Sequence, residues 1–269
     1  KGVTMNFNLT ELIFIAIAYL TALFGTAYIT ERGWISKRII YHPITYVLSL
    51  GVFTSVWTFY GTFALAKESG YSFLASYLGA SGAFFLAPVI LIPILRITRT
   101  YQLSSLADLF AFRFRSATAG ALTALFSLIA ILPLISIQIQ AVSDSLHILN
   151  QDFSSDQIAI GFCTLIALSA ILVGARNPSL RYNRTGLIVA MATGSLIKLF
   201  AMVTIALYAL FNVMDGPGGL ELWLQQNPQE LAIFDTPLDS DMWRTMLLGF
   251  FSAIIVMPHT FHMMFTENT

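Results

Sequence analysis

Charge is what this sequence has least of. Only 10% of its 269 residues are Asp, Glu, Lys or Arg, against roughly a quarter in soluble proteins. That is too little to cover a folded surface in water. Neither sign is in excess, with 14 Lys and Arg against 14 Asp and Glu. The balance excludes the basic footprint of a nucleic-acid-binding protein, and an acidic tail as well. A single cysteine, Cys163, excludes an internal disulfide framework and a thiolate metal cluster. The chain has no glycine-rich phosphate loop, no nucleophile elbow and no His-Glu-x-x-His helix. It therefore carries no catalytic residues of its own. Low-complexity segments and any stretch polar enough for a separate soluble domain are missing too.

Apolar residues fill the space that charge leaves. They make up 57% of the chain, including 22 Phe, 10 Tyr and 4 Trp, and mean hydropathy is +0.75. A bilayer core of about 30 Å takes roughly 20 apolar residues in a helix. Seven segments meet or approach that length: 9–30, 44–66, 73–97, 119–147, 156–174, 187–212 and 245–264. Helices are required, because lipid offers no partner to free backbone N–H and C=O groups. The alternating ten-residue runs of a transmembrane barrel are absent. The first segment is too long for a signal peptide and has no small-residue cleavage site; Met5 reads as a natural start. The expected fold is an all-α membrane domain of seven transmembrane helices spanning residues 1–269.

Basic residues mark every second connection. Arg32, Lys37 and Arg38 follow the first span; Arg96, Arg99, Arg113 and Arg115 follow the third; Arg176, Arg181 and Arg184 follow the fifth. The intervening connections hold only Lys67 and Arg244. The positive-inside rule then places the N-terminus outside and the end of the seventh span in the cytoplasm. The one long outer loop, 213–244, is acidic. It reads as a Gly216-Pro217-Gly218-Gly219 turn, an amphipathic interfacial helix around Leu220, Leu222, Trp223 and Leu224, and a loop containing Pro228 and Pro237.

Polar side chains inside hydrocarbon are costly and face a bundle interior or a water-filled path. In the second span Gly51, Ser55, Thr58 and Thr62 share one helical face, with Thr54 and Gly61 beside them. Such a face serves either close helix packing or a helix interrupted near Gly51–Thr54, whose freed carbonyls ligate a cation. In the fourth span Ser136, Gln140 and Asp144 stack at four-residue spacing, with Gln138 close by. This stripe suits a solute lining, although Asp144 and His147 also fit a solvated helix end. Lys198 lies about 17 Å from the nearer end of its span at 1.5 Å per residue. Snorkelling does not cover that distance. Three roles remain open for it: a surrogate for a bound cation, a counter-charge for a carboxylate solute, or a structural ion pair. The last span carries Ser252, and Pro258 breaks its ladder. His259 and His262 lack the carboxylate or thiolate company of a metal site and fit a kinked helix at the cytoplasmic interface. Cys163, alone in an apolar span, reads as a packing residue.

Several strings resemble the sodium:solute symporter family: HPITYVLSLGVFTSVWTFYGT at 42–62, YSFLASYLGASGAFFLAPV at 71–89, TRTYQLSSLADLFAFRFRS at 98–116, LPLISIQIQAVSDS at 132–145 and MPHTFHMMFTEN at 257–268. They are most similar to the symporter-like membrane region at the N-terminus of bacterial sensor histidine kinases of the CbrA type. Ser105-Leu106-Ala107-Asp108 with Arg113-Phe114 is similar to the family's cytoplasmic signature, with alanine in place of its proline.

The resemblance implies an inverted repeat of five plus five core helices (LeuT-like) preceded by one extra span, so that 44–66 is the unwound core helix. By analogy the backbone carbonyls of Gly51 and Thr54 belong to a sodium site. The solute path takes in Ser55, Trp57, Thr58, Gln138, Gln140, Asp144, Lys198 and Ser252, and Trp57 and Gly61 match residues of proline-transporting relatives. Phe53 stands where those transporters have a sodium-critical aspartate, and Gly194 where kinase-linked relatives often have glutamate. About four further core spans are expected beyond residue 269, including the one that completes the sodium site.

The reading favoured by the resemblance is the solute-sensing or transporting part of a two-component sensor kinase in the bacterial inner membrane. Its implied partners are the lipid bilayer, a small organic solute such as an amino acid, a cytoplasmic kinase domain of the same chain that uses ATP, and a response regulator. A plain sodium-coupled symporter and a decayed membrane anchor are the other two readings.

Overall fold

The structure, a computed structural model, describes residues 7–174, 185–235 and 240–267. The basic residues Arg176, Arg181 and Arg184, with Pro237 and Asp239, lie outside the described residues. Within them the chain is helical throughout, with no strand. The order is α1 (Leu9–Glu31), α2 (Lys37–Ile40), α3 (Pro43–Ser49), α4 (Val56–Ser69), α5 (Leu74–Phe85), α6 (Leu91–Tyr101), α7 (Leu106–Phe114), α8 (Ala117–Leu149), α9 (Ser155–Gly174), α10 (Thr185–Tyr208), α11 (Gly216–Gln226), α12 (Pro228–Ala232), α13 (Ser240–Val256) and α14 (Pro258–Phe261).

Short polar residues or proline start most of these helices, as the unpaired N–H groups of a first turn require. His42 Nδ1 accepts from Ile44 N at the head of α3, Ser105 Oγ from Asp108 N on α7, and Ser116 Oγ from Ala119 N on α8. Proline sits in the first turn of α3, α11, α12 and α14, where its missing N–H costs nothing.

Among the described residues three helices are long and apolar enough to cross a membrane: Thr10–Glu31, Ala117–Leu149 and Thr185–Val213. Two bent pairs raise the number to five. Pro43–Phe53 meets Thr58–Phe85 at 65°, and Ser240–Val256 meets Pro258–Thr266 at 52°. The polypeptide is thus an all-helical protein with three to five candidate spans. Its surface agrees with that: Phe14, Phe126 and Phe200 are 66–72% exposed, in an arrangement that water would penalise and acyl chains accept.

Close approaches between helices occur at small residues. Ala75, Gly79 and Ala83 are buried one turn apart on α5 and lie against α13, where a Cβ at 79 would overlap Leu247 O. Gly186 on α10 lies against Ala27 O of α1 in the same way, and a Cβ at Gly194 would stand 3.3 Å from the Leu23 side chain and 3.6 Å from Tyr19 Oη. The main apolar cluster joins Leu91 of α6 to Phe261, Met264 and Phe265 after the Pro258 bend. Side chains of neighbouring segments satisfy that segment's carbonyls: Tyr46 Oη donates to Met264 O at 3.2 Å and Thr98 Oγ1 to Phe265 O at 3.4 Å.

Several local expectations are corrected. The stretch 73–97 is not one helix: the chain turns at 86–90 between α5 and α6, just before Pro93 reduces the donors available to a continuous ladder. The segment from Gly216 to Gly219 is the first turn of α11 rather than a free turn, entered through Asp215 at φ 53°. Pro228 opens the short helix α12 instead of lying in a loop. Cys163 is exposed on α9, so it faces the surroundings and does not pack inside the bundle.

Candidate functional site

The break between α3 and α4 frees backbone groups that a continuous helix would consume. Leu50–Phe53 tightens into a single 3-10 turn. Thr54 (φ −78°, ψ 110°) and Ser55 (φ −113°, ψ 175°) are extended. Thr54 N therefore reaches Gly51 O at 3.1 Å, and Thr54 Oγ1 donates to the same carbonyl at 2.6 Å. Ser55 N, which would have bonded to Gly51 O, bonds instead to Thr58 Oγ1 at 3.2 Å. Thr58 N goes to Ser55 Oγ at 3.3 Å, leaving Thr54 O without its helical donor. Such an orphan carbonyl needs a partner.

Lys198, on α10, supplies it. Its Nζ lies 2.8 Å from Thr54 O, 2.9 Å from Gly51 O and 3.3 Å from Thr54 Oγ1. An ammonium has three protons and no acceptor, so three oxygens saturate it. Among the described residues no carboxylate lies within ion-pair distance of Lys198. Gly51 makes the approach possible: a Cβ there would overlap Ser195 Oγ and stand 2.8 Å from Ser195 Cβ. The Ser195 hydroxyl is buried at this crossing with no partner among the described residues. Gly51 thus serves both readings of its small side chain, since the helix is interrupted and α10 packs close against it.

The other side of the break is held by α8. Gln138 Nε2 donates to Ser55 Oγ at 2.9 Å, and two turns on along α8 Ser145 Oγ meets Tyr60 Oη at 2.7 Å. Beyond Thr54 a cavity opens between α4, α5 and α13. Its polar wall is Thr54, Thr58, Thr62, Ser76, Tyr77 and Ser81, and its apolar wall includes Phe53, Leu65, Ala80 and Phe250. Thr62 Oγ1 and Tyr77 Oη hydrogen-bond to each other at 3.1 Å in its wall. Hydroxyls and three aromatic rings on a mainly apolar wall suit a small organic molecule with a few polar groups.

Of the residues singled out in the sequence, Gly51, Thr54, Ser55, Thr58, Gln138 and Lys198 come together around the break. Trp57 belongs to α4, and its side chain lies outside what the structure describes. The others do not join the group. Gln140 is exposed on α8, and Ser252 is exposed on α13, two residues beyond Phe250 of the cavity wall. Asp144 is also exposed; its Oδ1 accepts from Ser155 Oγ at 2.6 Å, and His147 Nδ1 meets Phe153 O at 2.7 Å. Both residues tie the α8–α9 connection. His262 pairs with Glu267 at 2.9 Å, and among the described residues no group of three His, Cys, Asp or Glu could hold a metal ion. Ser195, Ser76, Tyr77 and Ser81 were missed. Ser195 stands one turn before Lys198 and was open to the same argument; nothing in the sequence pairs α5 with α4.

A second polar constellation lies in the 102–116 region. Asp108 Oδ2 accepts from Ser104 N at 3.0 Å and Ser104 Oγ at 2.7 Å. Partial burial alone would raise this carboxyl. The hydrogen bonds from Ser104 and Ser105 outweigh that and hold it below its ordinary value. Thr266 Oγ1 donates to Ser104 O at 3.3 Å, so the connection is latched to the segment that follows Pro258.

The chain matches no protein-family model, no curated protein and no solved structure.

Proposed function

We propose that this chain is the solute-binding membrane region, of sodium:solute symporter type, of a bacterial two-component sensor kinase. The observation that carries the reading is the broken helix: Thr54 O freed from its helical donor, with Gly51 O turned to the same Lys198, beside a mainly apolar cavity with hydroxyls in its wall. Irregular backbone at membrane depth is tolerated only where protein or a water-filled space satisfies it. Half-helices meeting at a small cavity are how membrane carriers build binding sites.

In this reading the chain crosses the inner membrane seven times with its N-terminus outside. Ser155–Gly174, 20 residues long, is one further span, and dividing residues 43–101 into two crossings, α3 with α4 and α5 with α6, gives the other. The Asp108 connection and the segment after Pro258 then share the cytoplasmic end, where a kinase domain would receive the signal. A solute biases that output only by binding one conformation better than another. The cavity between α4 and α5 offers such a difference, because a hinge at 50–55 changes its walls.

The test uses the protein in vesicles and a panel of amino acids and related small solutes. A solute that raises the thermal midpoint, and is either accumulated or changes phosphorylation of a response regulator, supports the reading. Absence of any stabilising solute, with no uptake and no solute-dependent phosphorylation, leaves only a membrane anchor. Uptake without any phosphorylation output favours a plain symporter.

A further inference from the structure

The donor set at the break is that of a monovalent-cation site. It consists of two backbone carbonyls and a hydroxyl, all neutral oxygens, whereas divalent ions recruit carboxylates. Sodium and an alkylammonium carry the same charge and both accept such oxygens. In this protein the place is taken: Lys198 Nζ spends its three protons on these three atoms. A second cation in contact with the same carbonyls would meet a unit charge at close range in a medium of low dielectric. The buried Ser195 hydroxyl, with no partner among the described residues, adds a spare oxygen beside Gly51.

We infer that the cradle at residues 51–54 is a cation site whose resident is the chain's own Lys198 ammonium, so that sodium is excluded from the intact protein and admitted once the ammonium is removed. The inference rests on the break geometry and holds whichever solute the cavity takes. Removing the ammonium leaves Thr54 O with no donor. A free monovalent cation then gains the orphaned Thr54 O, with Gly51 O beside it, and the relief of the charge that opposed it.

The experiment compares the wild type with Lys198→Ala and Lys198→Met in lipid nanodiscs, in NaCl and in choline chloride at equal ionic strength. Methionine keeps most of the alkyl stem and removes only the charged tip. The wild type should have the same thermal midpoint in both salts and bind no 22Na+. Each variant should be less stable than wild type in choline chloride, recover several degrees in NaCl with saturation, and retain about one 22Na+ per chain by simple linkage. If a variant cannot be isolated in choline chloride, NaCl should restore its yield. A sodium-specific rise in the wild type overturns the inference. So does the absence of a sodium response in both variants, or failure of both to fold in either salt. No solute is added, so the outcome is independent of the solute-sensing reading.

Discussion

Gly79 on α5 lies directly against the backbone of Leu247 on α13, with the carbonyl carbon 3.1 Å from where a Cβ would stand and the carbonyl oxygen closer still. The contact is backbone to backbone, so neither side yields by a rotamer change. Gly79→Ala should separate the two helices and cost about 1–3 kcal/mol, as overpacking does. Gly161, on α9 with no atom within 4 Å of its Cβ position, is the control. There alanine should be neutral or stabilising by up to about 1 kcal/mol. Thermal unfolding of the two variants in one detergent decides it, and equal midpoints would refute the packing argument.

The Gln138–Ser55 bond joins α8 to the head of α4. Ser55 also caps that helix, so Ser55→Ala should cost more than Gln138→Leu. A double-mutant cycle should return a coupling of about 0.5–1.5 kcal/mol for one hydrogen bond. Additive single effects would mean that α8 does not support the break.

Asp108 makes a pH prediction. Its folded value lies below the ordinary one, so the stability it contributes is present above the unfolded value of about 3.9 and is lost as pH falls through the folded value. The thermal midpoint of the wild type should therefore decline in that acid window. Asp108→Asn should start lower at neutral pH and lose less there. Ser105→Ala, which removes the cap on Asp108 N and one of the hydrogen bonds that hold its carboxyl down, should cost about 1 kcal/mol and make the acid decline shallower than in the wild type. Parallel acid profiles for Asp108→Asn and the wild type would sink this account.

Ala80 borders the cavity opposite Thr58 and Thr62. Ala80→Leu should fill that space and abolish stabilisation by whichever amino acid or related solute the wild type responds to, while the protein still folds. A retained response of equal size would place the solute elsewhere.

Cys163 is the sole thiol and is exposed on α9. In intact membranes it should resist a sulfonated, membrane-impermeant maleimide and be reached only by the permeant N-ethylmaleimide, because acyl chains exclude the charged reagent. Rapid labelling by the impermeant reagent would show that α9 does not lie in lipid.

Much of this was legible in the residues. Long apolar runs with scarce charge dictate helices in a bilayer, since only an internally bonded backbone survives there. Pro258 announces the bend that follows α13. Local chemistry was read less well: Pro228 looked like a loop marker and proved to be a helix start, because a helix's first turn spares the N–H that proline lacks. The stretch 73–97 read as one span because apolar composition continues through the turn at 86–90.

The solitary charge at Lys198 was visible, and so were the glycine and threonines near 51–54. Their meeting was not, because 144 residues separate Lys198 from Thr54. Hydropathy fixes which segments leave water, whereas the pairing of one helix's ammonium with another's carbonyls depends on how closely backbones approach. That approach is set by the missing side chain of Gly51 against Ser195, a steric fact that exists only once the helices have packed.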